Sequence, residues 1–215
     1  MIAIVMLLGD EKGALLWDQV ISQKDEIAGI LGEKGRLLYM TKRTGYNGVS
    51  LLVHIKEQEA VADLVSNRLS KIAGVNRLWV TPLYRPRFFP LPKDTHQFKR
   101  FVVTLKVTPS ELGNVHKRLL NPDLPDGLKK VYYAFTFQLY DDVIQMSYLA
   151  DKDATMNDFV TQKINTLKGV QKSSIYPIEK TKPFITYDEW QEYAGEKAHH
   201  PKWKSMFTHI KGWDM

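Results

Sequence analysis

Thirteen consecutive residues of this chain recur without a gap. Asp63-Leu64-Val65-Ser66-Asn67-Arg68-Leu69-Ser70-Lys71-Ile72-Ala73-Gly74-Val75 aligns with Asp158-Phe159-Val160-Thr161-Gln162-Lys163-Ile164-Asn165-Thr166-Leu167-Lys168-Gly169-Val170 at an offset of 95. The match runs on through Asn76-Arg77 against Gln171-Lys172 and Pro82 against Pro177. It then reaches Arg85, Arg87 and Phe89 against Lys180, Lys182 and Phe184. Self-similarity at a long period restricts a chain to architectures made from two versions of one unit.

Each copy carries the same pattern. Val61, Leu64, Val65, Leu69 and Ile72 line one helical face, and Met156, Phe159, Val160, Ile164 and Leu167 line its counterpart. Gly74 and Gly169 follow the last turns, where a left-handed residue costs least without a Cβ. A strand follows in each, near 77–83 and 172–178, and its prolines suggest a sheet edge because proline cannot donate to a ladder.

Upstream, the second copy reads as strand 101–107, a capping box at Thr108-Pro109-Ser110-Glu111, helix 110–120, loop 121–127 and strands 131–137 and 142–150. The first reads as strand 2–8, helix 14–30, strand 36–42, a turn at 44–48 and strand 49–56. Both are βαββαβ, the ferredoxin-like order. A sheet covered by helices on one face leaves the other bare, and two such sheets pressed together bury it at ~25 cal/mol per Å².

The expected fold class is therefore α+β: two ferredoxin-like repeats fused into an intramolecular dimeric α+β barrel, with a helical or irregular tail. Residues 1–90 form the first repeat, 91–98 a linker, 99–185 the second repeat and 186–215 an aromatic and basic tail.

Composition narrows the chemistry. The 215 residues include no cysteine, which excludes disulfides, thiolate metal sites and cysteine nucleophiles. Nothing reads as a signal peptide, and the apolar run 2–8 falls short of the roughly 20 residues that cross a bilayer. A cytoplasmic protein without a membrane partner is expected. The net charge of +6 and pI near 9.3 suit polyanions, but Lys and Arg are spread along the chain rather than gathered on one element.

The hairpins 44–49 and 139–144, with the helix-to-strand signatures 71–75 and 166–170, give each half a resemblance to the effector-binding domain of Lrp/AsnC regulators. The resemblance covers residues 1–185. It implies a small effector, an amino acid or similar metabolite, bound at Gly45, Tyr46, Asn47 and Gly48 and at Tyr140, Asp141 and Asp142. It further implies transcription regulation through a partner regulator or homo-oligomer, without catalytic residues, cofactor or metal. Typical members begin with a helix-turn-helix, whereas Met1 here stands already in the first strand. Asn47 replaces the family's aspartate, and the second hairpin lacks its glycine.

Each cluster has a plainer reading. Asp, Asn and Gly are favoured in tight turns whether or not a ligand is near. Arg85, Arg87, Lys180 and Lys182 could form a strip facing a phosphate backbone, or a proline-marked extended arm, which is the better reading. His199-His200 lacks partners at metal-ligand spacing, and His54 and His116 suit core or boundary positions. In the tail, Tyr187, Trp190, Tyr193, Trp203, Phe207 and Trp213 alternate with lysines and could stack on bases or a membrane, although covering an exposed edge explains them better.

Two alternatives to an effector sensor stand. One is an enzyme or haem-binding protein of the wider dimeric α+β barrel group, whose interior can hold haem or an aromatic substrate. The other is direct nucleic-acid binding through the basic arms and tail.

Overall fold

A computed structural model of the chain describes residues 1–9, 16–137 and 142–195. Strand β1 (Ile2–Gly9) is followed by α1 (Leu16–Ser22), α2 (Lys24–Leu31), β2 (Gly35–Arg43), β3 (Gly48–Ile55), α3 (Glu59–Asn67) and β4 (Val75–Phe88). Then come β5 (Lys99–Val107), α4 (Leu112–Leu120), β6 (Leu128–Phe135), β7 (Asp142–Ala150), α5 (Asp153–Phe159), β8 (Val170–Pro183) and α6 (Tyr187–Gly195). The strands close in the order β1-β3-β2-β8-β5-β7-β6-β4, and every neighbouring pair is antiparallel.

The expected fold class, two ferredoxin-like repeats joined as an intramolecular dimeric α+β barrel, is replaced by a single closed antiparallel barrel, with eight strands and six α-helices among the described residues. The prolines misled the reading. They suggested strand ends, hence open sheets pressed face to face, but β4 and β8 run past Pro82 and Pro177 to 14 residues each. The first part of β4 pairs with β1, and its last part pairs with β6 through Tyr84↔Phe135 and Arg87↔Tyr133. Likewise β8 passes from β5 to β2 near Ile178. The arms expected around Arg85, Arg87, Lys180 and Lys182 are therefore the strand segments that close the barrel.

Alternation along each strand separates two surfaces. In β1, Ala3, Val5 and Leu7 pack under the helices, while Ile2, Ile4 and Met6 face the lumen. Helices α1–α3 cover the outer face of β1–β3, and α4–α5 cover Phe101, Val103, Leu105, Met146 and Tyr148 in the same way. Gly74 and Gly169, at φ 86° and 97°, turn the chain from helix into β4 and β8.

Helix α6 closes one end of the lumen. It starts with a reciprocal cap, Thr186 N–H donating to Glu189 Oε2 (2.7 Å) and Glu189 N–H to Thr186 Oγ1 (3.2 Å). An ion pair between Glu189 and Arg36 fastens it to β2. Trp190 is buried against Tyr39 and Phe88 and donates from Nε1 to the Phe89 carbonyl (3.0 Å). The tail beyond 195, including Trp203, Phe207, Trp213 and His199-His200, lies outside the described residues. No described helix is long and apolar enough to cross a membrane.

Trp190→Ala removes this plug and its hydrogen bond together, and should cost about 3–5 kcal/mol. Urea unfolding of the full chain measures it; a loss below about 1 kcal/mol would mean that α6 does not hold the barrel end closed.

Candidate active site

The first predicted hairpin is a tight turn packed on the end of β1. Gly45 has φ 68°, and a Cβ on Gly48 would lie 2.6 Å from Leu8 Cδ2 and 2.9 Å from the Leu7 carbonyl oxygen. Gly9 N–H donates to the Asn47 carbonyl (2.9 Å), while Tyr46 projects outward, 44% exposed. Tyr140 and Asp141 lie outside the described residues; Asp142 opens β7, and its side chain is likewise outside them. No cluster joining the two hairpins is present among the described side chains. Nor do the four basic residues form one strip: Arg85 and Arg87 lie at the β4–β6 seam, Lys180 and Lys182 at the β8–β2 seam, which is four strands away around the barrel.

A different cluster does form, on the outer face of β6 beneath α4. The amphipathic pattern of α4 buries Val115 and Leu119 and leaves His116 half-buried at the margin. His116 Nδ1 lies 3.0 Å from the Tyr133 hydroxyl, and its ring packs on Tyr133 and Phe135 at centroid distances of 5.4 and 5.0 Å. Phe135 stacks on Phe137 (5.4 Å, 8° between planes), which also meets Tyr84 at 5.4 Å. Phe137 remains 43% exposed, so the aromatics form a shelf open to solvent.

Two features set this shelf apart. Arg85 and Phe137, at φ 49° and 43°, are the described non-glycine residues with positive φ, and both border it. Such backbone costs of order 1–3 kcal/mol per residue and collects at functional sites. The second feature is electrostatic. Burial, and then the charges of Arg85, Arg87 and Lys117, hold the His116 pKa below its usual value, leaving a neutral imidazole at pH 7. Burial raises the Tyr133 phenol far above its usual range, so it stays protonated. In the tautomer whose Nδ1–H donates to the Tyr133 oxygen, Nε2 carries the lone pair that a general base requires.

The sequence offers His116 only as a lone residue on an amphipathic helix. The signal that could have found it is the alternation Tyr133, Phe135, Phe137, which puts three aromatic rings on one face of a strand directly after that helix.

The lumen has its own polar chemistry. Tyr132, buried and phenolic, accepts from Gln145 Nε2 (2.6 Å), and Arg100 Nε donates to Ser147 Oγ (3.3 Å) with its guanidinium 4.3 Å from the Tyr39 ring. The remaining cavity is only about 20 Å³. Ligand pockets for organic molecules run to ~300 Å³ or more, so the lumen cannot accept the haem or aromatic substrate expected there. His54, the histidine on the lumen side, bonds Tyr193 of α6 (2.9 Å), and His116 lies outside the barrel. No described set of three or more His, Cys, Asp or Glu could hold a metal ion.

The fold and site together define a closed antiparallel barrel bearing a base-and-arginine shelf on its outer, helix-covered face. No family model and no curated protein matches the chain. Among solved structures, it is similar to a candidate monooxygenase from Lactobacillus acidophilus NCFM, with TM-score 0.55 and 9% identity over 85% of this chain and 95% of that one. It is also similar to an anthrone oxidase-like protein (TM-score 0.50, 10% identity, 91% and 94% covered) and to a mutant chlorite dismutase from Candidatus Nitrospira defluvii (0.50, 13%, 90% and 95%). At these identities the likeness is one of fold.

These neighbours overturn the Lrp/AsnC resemblance, and with it the expectations of transcription regulation and of a chain that is no enzyme. The motifs behind that resemblance, a glycine-bearing hairpin and a helix ending in Gly-Val, serve here as turns in the barrel frame.

Two measurements check the local physics. Alanine normally exceeds glycine in stability, but at φ 49° the order should invert, Arg85→Gly exceeding Arg85→Ala by about 1 kcal/mol in chemical denaturation. The second concerns Lys130, which is buried and caps α4 by donating to the carbonyls of Leu119 (2.6 Å) and Leu120 (2.9 Å), with its pKa lowered by burial to about 7. Between that value and the ordinary 10.5, the unfolded chain holds a proton that the folded chain has released. The fold therefore gains stability as pH rises through this window. Relative to Lys130→Met, the native chain should gain stability from pH 7 to pH 10; a flat difference would place the Lys130 pKa near its ordinary value.

Proposed function

We propose that this protein is an oxygenase-type enzyme that oxidises an electron-rich, weakly acidic aromatic at the shelf, with His116 as general base. The observation that carries the reading is a half-buried histidine held neutral by burial and then by the charges of Arg85 and Arg87, beside two residues of strained backbone. The fold neighbours described as a monooxygenase and as anthrone oxidase-like support the reaction class.

Phe137 and Phe135 offer a flat apolar face on which an aromatic substrate can stack. Nε2 of His116 takes a proton from the acidic C–H, and the negative charge passes into the ring system and its oxygen. Arg85 and Arg87, whose charges disfavour protonation of His116, favour that anion. The carbanion gives electrons to dioxygen, a C–O bond forms, and loss of water leaves a carbonyl. For anthrone the balance is one anthrone and one dioxygen giving one anthraquinone and one water. The carbon is oxidised and dioxygen reduced, and the proton held by His116 leaves with the water.

Dioxygen uptake by the purified chain with anthrone, above the uncatalysed rate, tests this. His116→Ala should lower kcat by about 100-fold or more. Arg85→Gln with Arg87→Gln should raise the His116 pKa and move the acid limb of the profile to higher pH. A rate indifferent to His116 would remove the base, and no turnover of anthrones or phenols would remove the reaction class.

A further inference from the structure

The lumen holds a second site, unrelated to the shelf. Arg43 and Arg100 both border the cavity of about 20 Å³, together with Tyr39, Tyr132, Ser50 and Ser147. Arg43 enters at the hairpin end of β2, with its guanidinium 4.2 Å from the Tyr176 ring; Arg100 enters from β5 and lies over Tyr39. Both residues line the same cavity as Tyr132, and both charges bear on its hydroxyl.

No carboxylate lines this cavity, and neither guanidinium forms an ion pair among the described residues. Among the described residues, the side-chain hydrogen bond of Arg100 is to Ser147 and is made by Nε, not by the terminal nitrogens. Guanidinium does not lose its proton in proteins. The two tyrosines cannot supply the missing charge either, since burial raises both phenols above their usual range.

Two half-buried like charges that border one cavity repel and lose part of their hydration, which is costly unless an opposite charge joins them. We infer that the barrel lumen is a binding site for one small monovalent inorganic anion, of chloride size, held between the guanidiniums of Arg43 and Arg100. The volume sets the class. About 10–15 Å³ suffices for one water-sized occupant, so the space takes a halide and excludes organic acids. Neutral water could fill the same space but would leave both charges unmatched.

The test uses the full chain at constant ionic strength, exchanging sodium gluconate for sodium chloride or bromide. Thermal unfolding should shift upward and saturate, by about 5 °C at a hundredfold excess over Kd. A crystal grown in bromide should show its anomalous peak between Arg43 and Arg100. Arg100→Met and Arg43→Met should each abolish the halide response, while Arg118→Gln, exposed on α4, should keep it. If either lumen variant fails to fold, the bromide peak in the native chain decides alone. A halide-independent midpoint with water between the arginines, or bromide bound only at the surface, overturns the inference. Neither outcome depends on the anthrone assay, so this site and the shelf stand or fall separately.

Discussion

The ladders joining β4 to β6 and β8 to β2 are the interactions on which the remaining structure depends. Without them the same eight strands would make two four-stranded sheets, each with unpaired N–H and C=O rows on both edges. Closure removes every edge and fixes the diameter. Eight strands enclose a lumen just wide enough for side chains to fill. Ile4, Leu38, Leu52, Val131, Tyr132 and Leu149 fill it here. Closure thus decides where chemistry on an organic molecule can occur: not inside, but on the outer faces where helices cover the sheet incompletely.

The two seams are unequal. In β8 the transfer from β5 to β2 proceeds without a strained described residue. In β4 the transfer is made at Tyr84–Arg87, where the register shifts and Arg85 adopts positive φ directly before Pro86. Proline fixes its own φ and crowds the residue before it, so the β4 seam is the stiffer and more costly one. That seam carries Arg85 and Arg87, whose charges bear on His116. Ninety-five residues upstream of His116 stands Ile21, so the recurrence in sequence does not repeat the base. The site belongs to one side of the barrel alone.

How much of this the sequence made legible follows from the range of each interaction. Local patterns placed strands and turns well: the strand expected at 142–150 coincides with β7, and Gly74 and Gly169 mark the turns into β4 and β8. The segment 14–30 read as one helix, whereas the described part breaks at Gln23 between α1 and α2. Pairing was less accessible. A proline shows that one residue cannot donate; it does not show that the strand continues and changes partner, which is a contact between residues about fifty apart. The candidate site was hidden for the same reason. His116 gains its character from Tyr133 and from Arg85 and Arg87, brought from two other strands, and no spacing in the chain announces that meeting. Tyr46, Asn47 and Gly48 drew attention because turns and ligand loops share the same small polar residues.

Electrostatics relates the two proposed sites through a common rule. A net charge of +6 must be distributed over the molecule, and where cations lack carboxylate partners the local chemistry favours negative charge. At the shelf, Arg85 and Arg87 are exposed, so solvent and salt screen them and they bias a proton equilibrium rather than capture an ion. In the lumen, Arg43 and Arg100 are half-buried among tyrosines, where screening is weaker and the same imbalance demands a partner. One arrangement suits a charge that appears only during a reaction, the other a charge that stays. The distinction rests on burial, which barrel closure sets: it half-buries Arg100 among the lumen tyrosines and leaves Arg85 at the seam, in water.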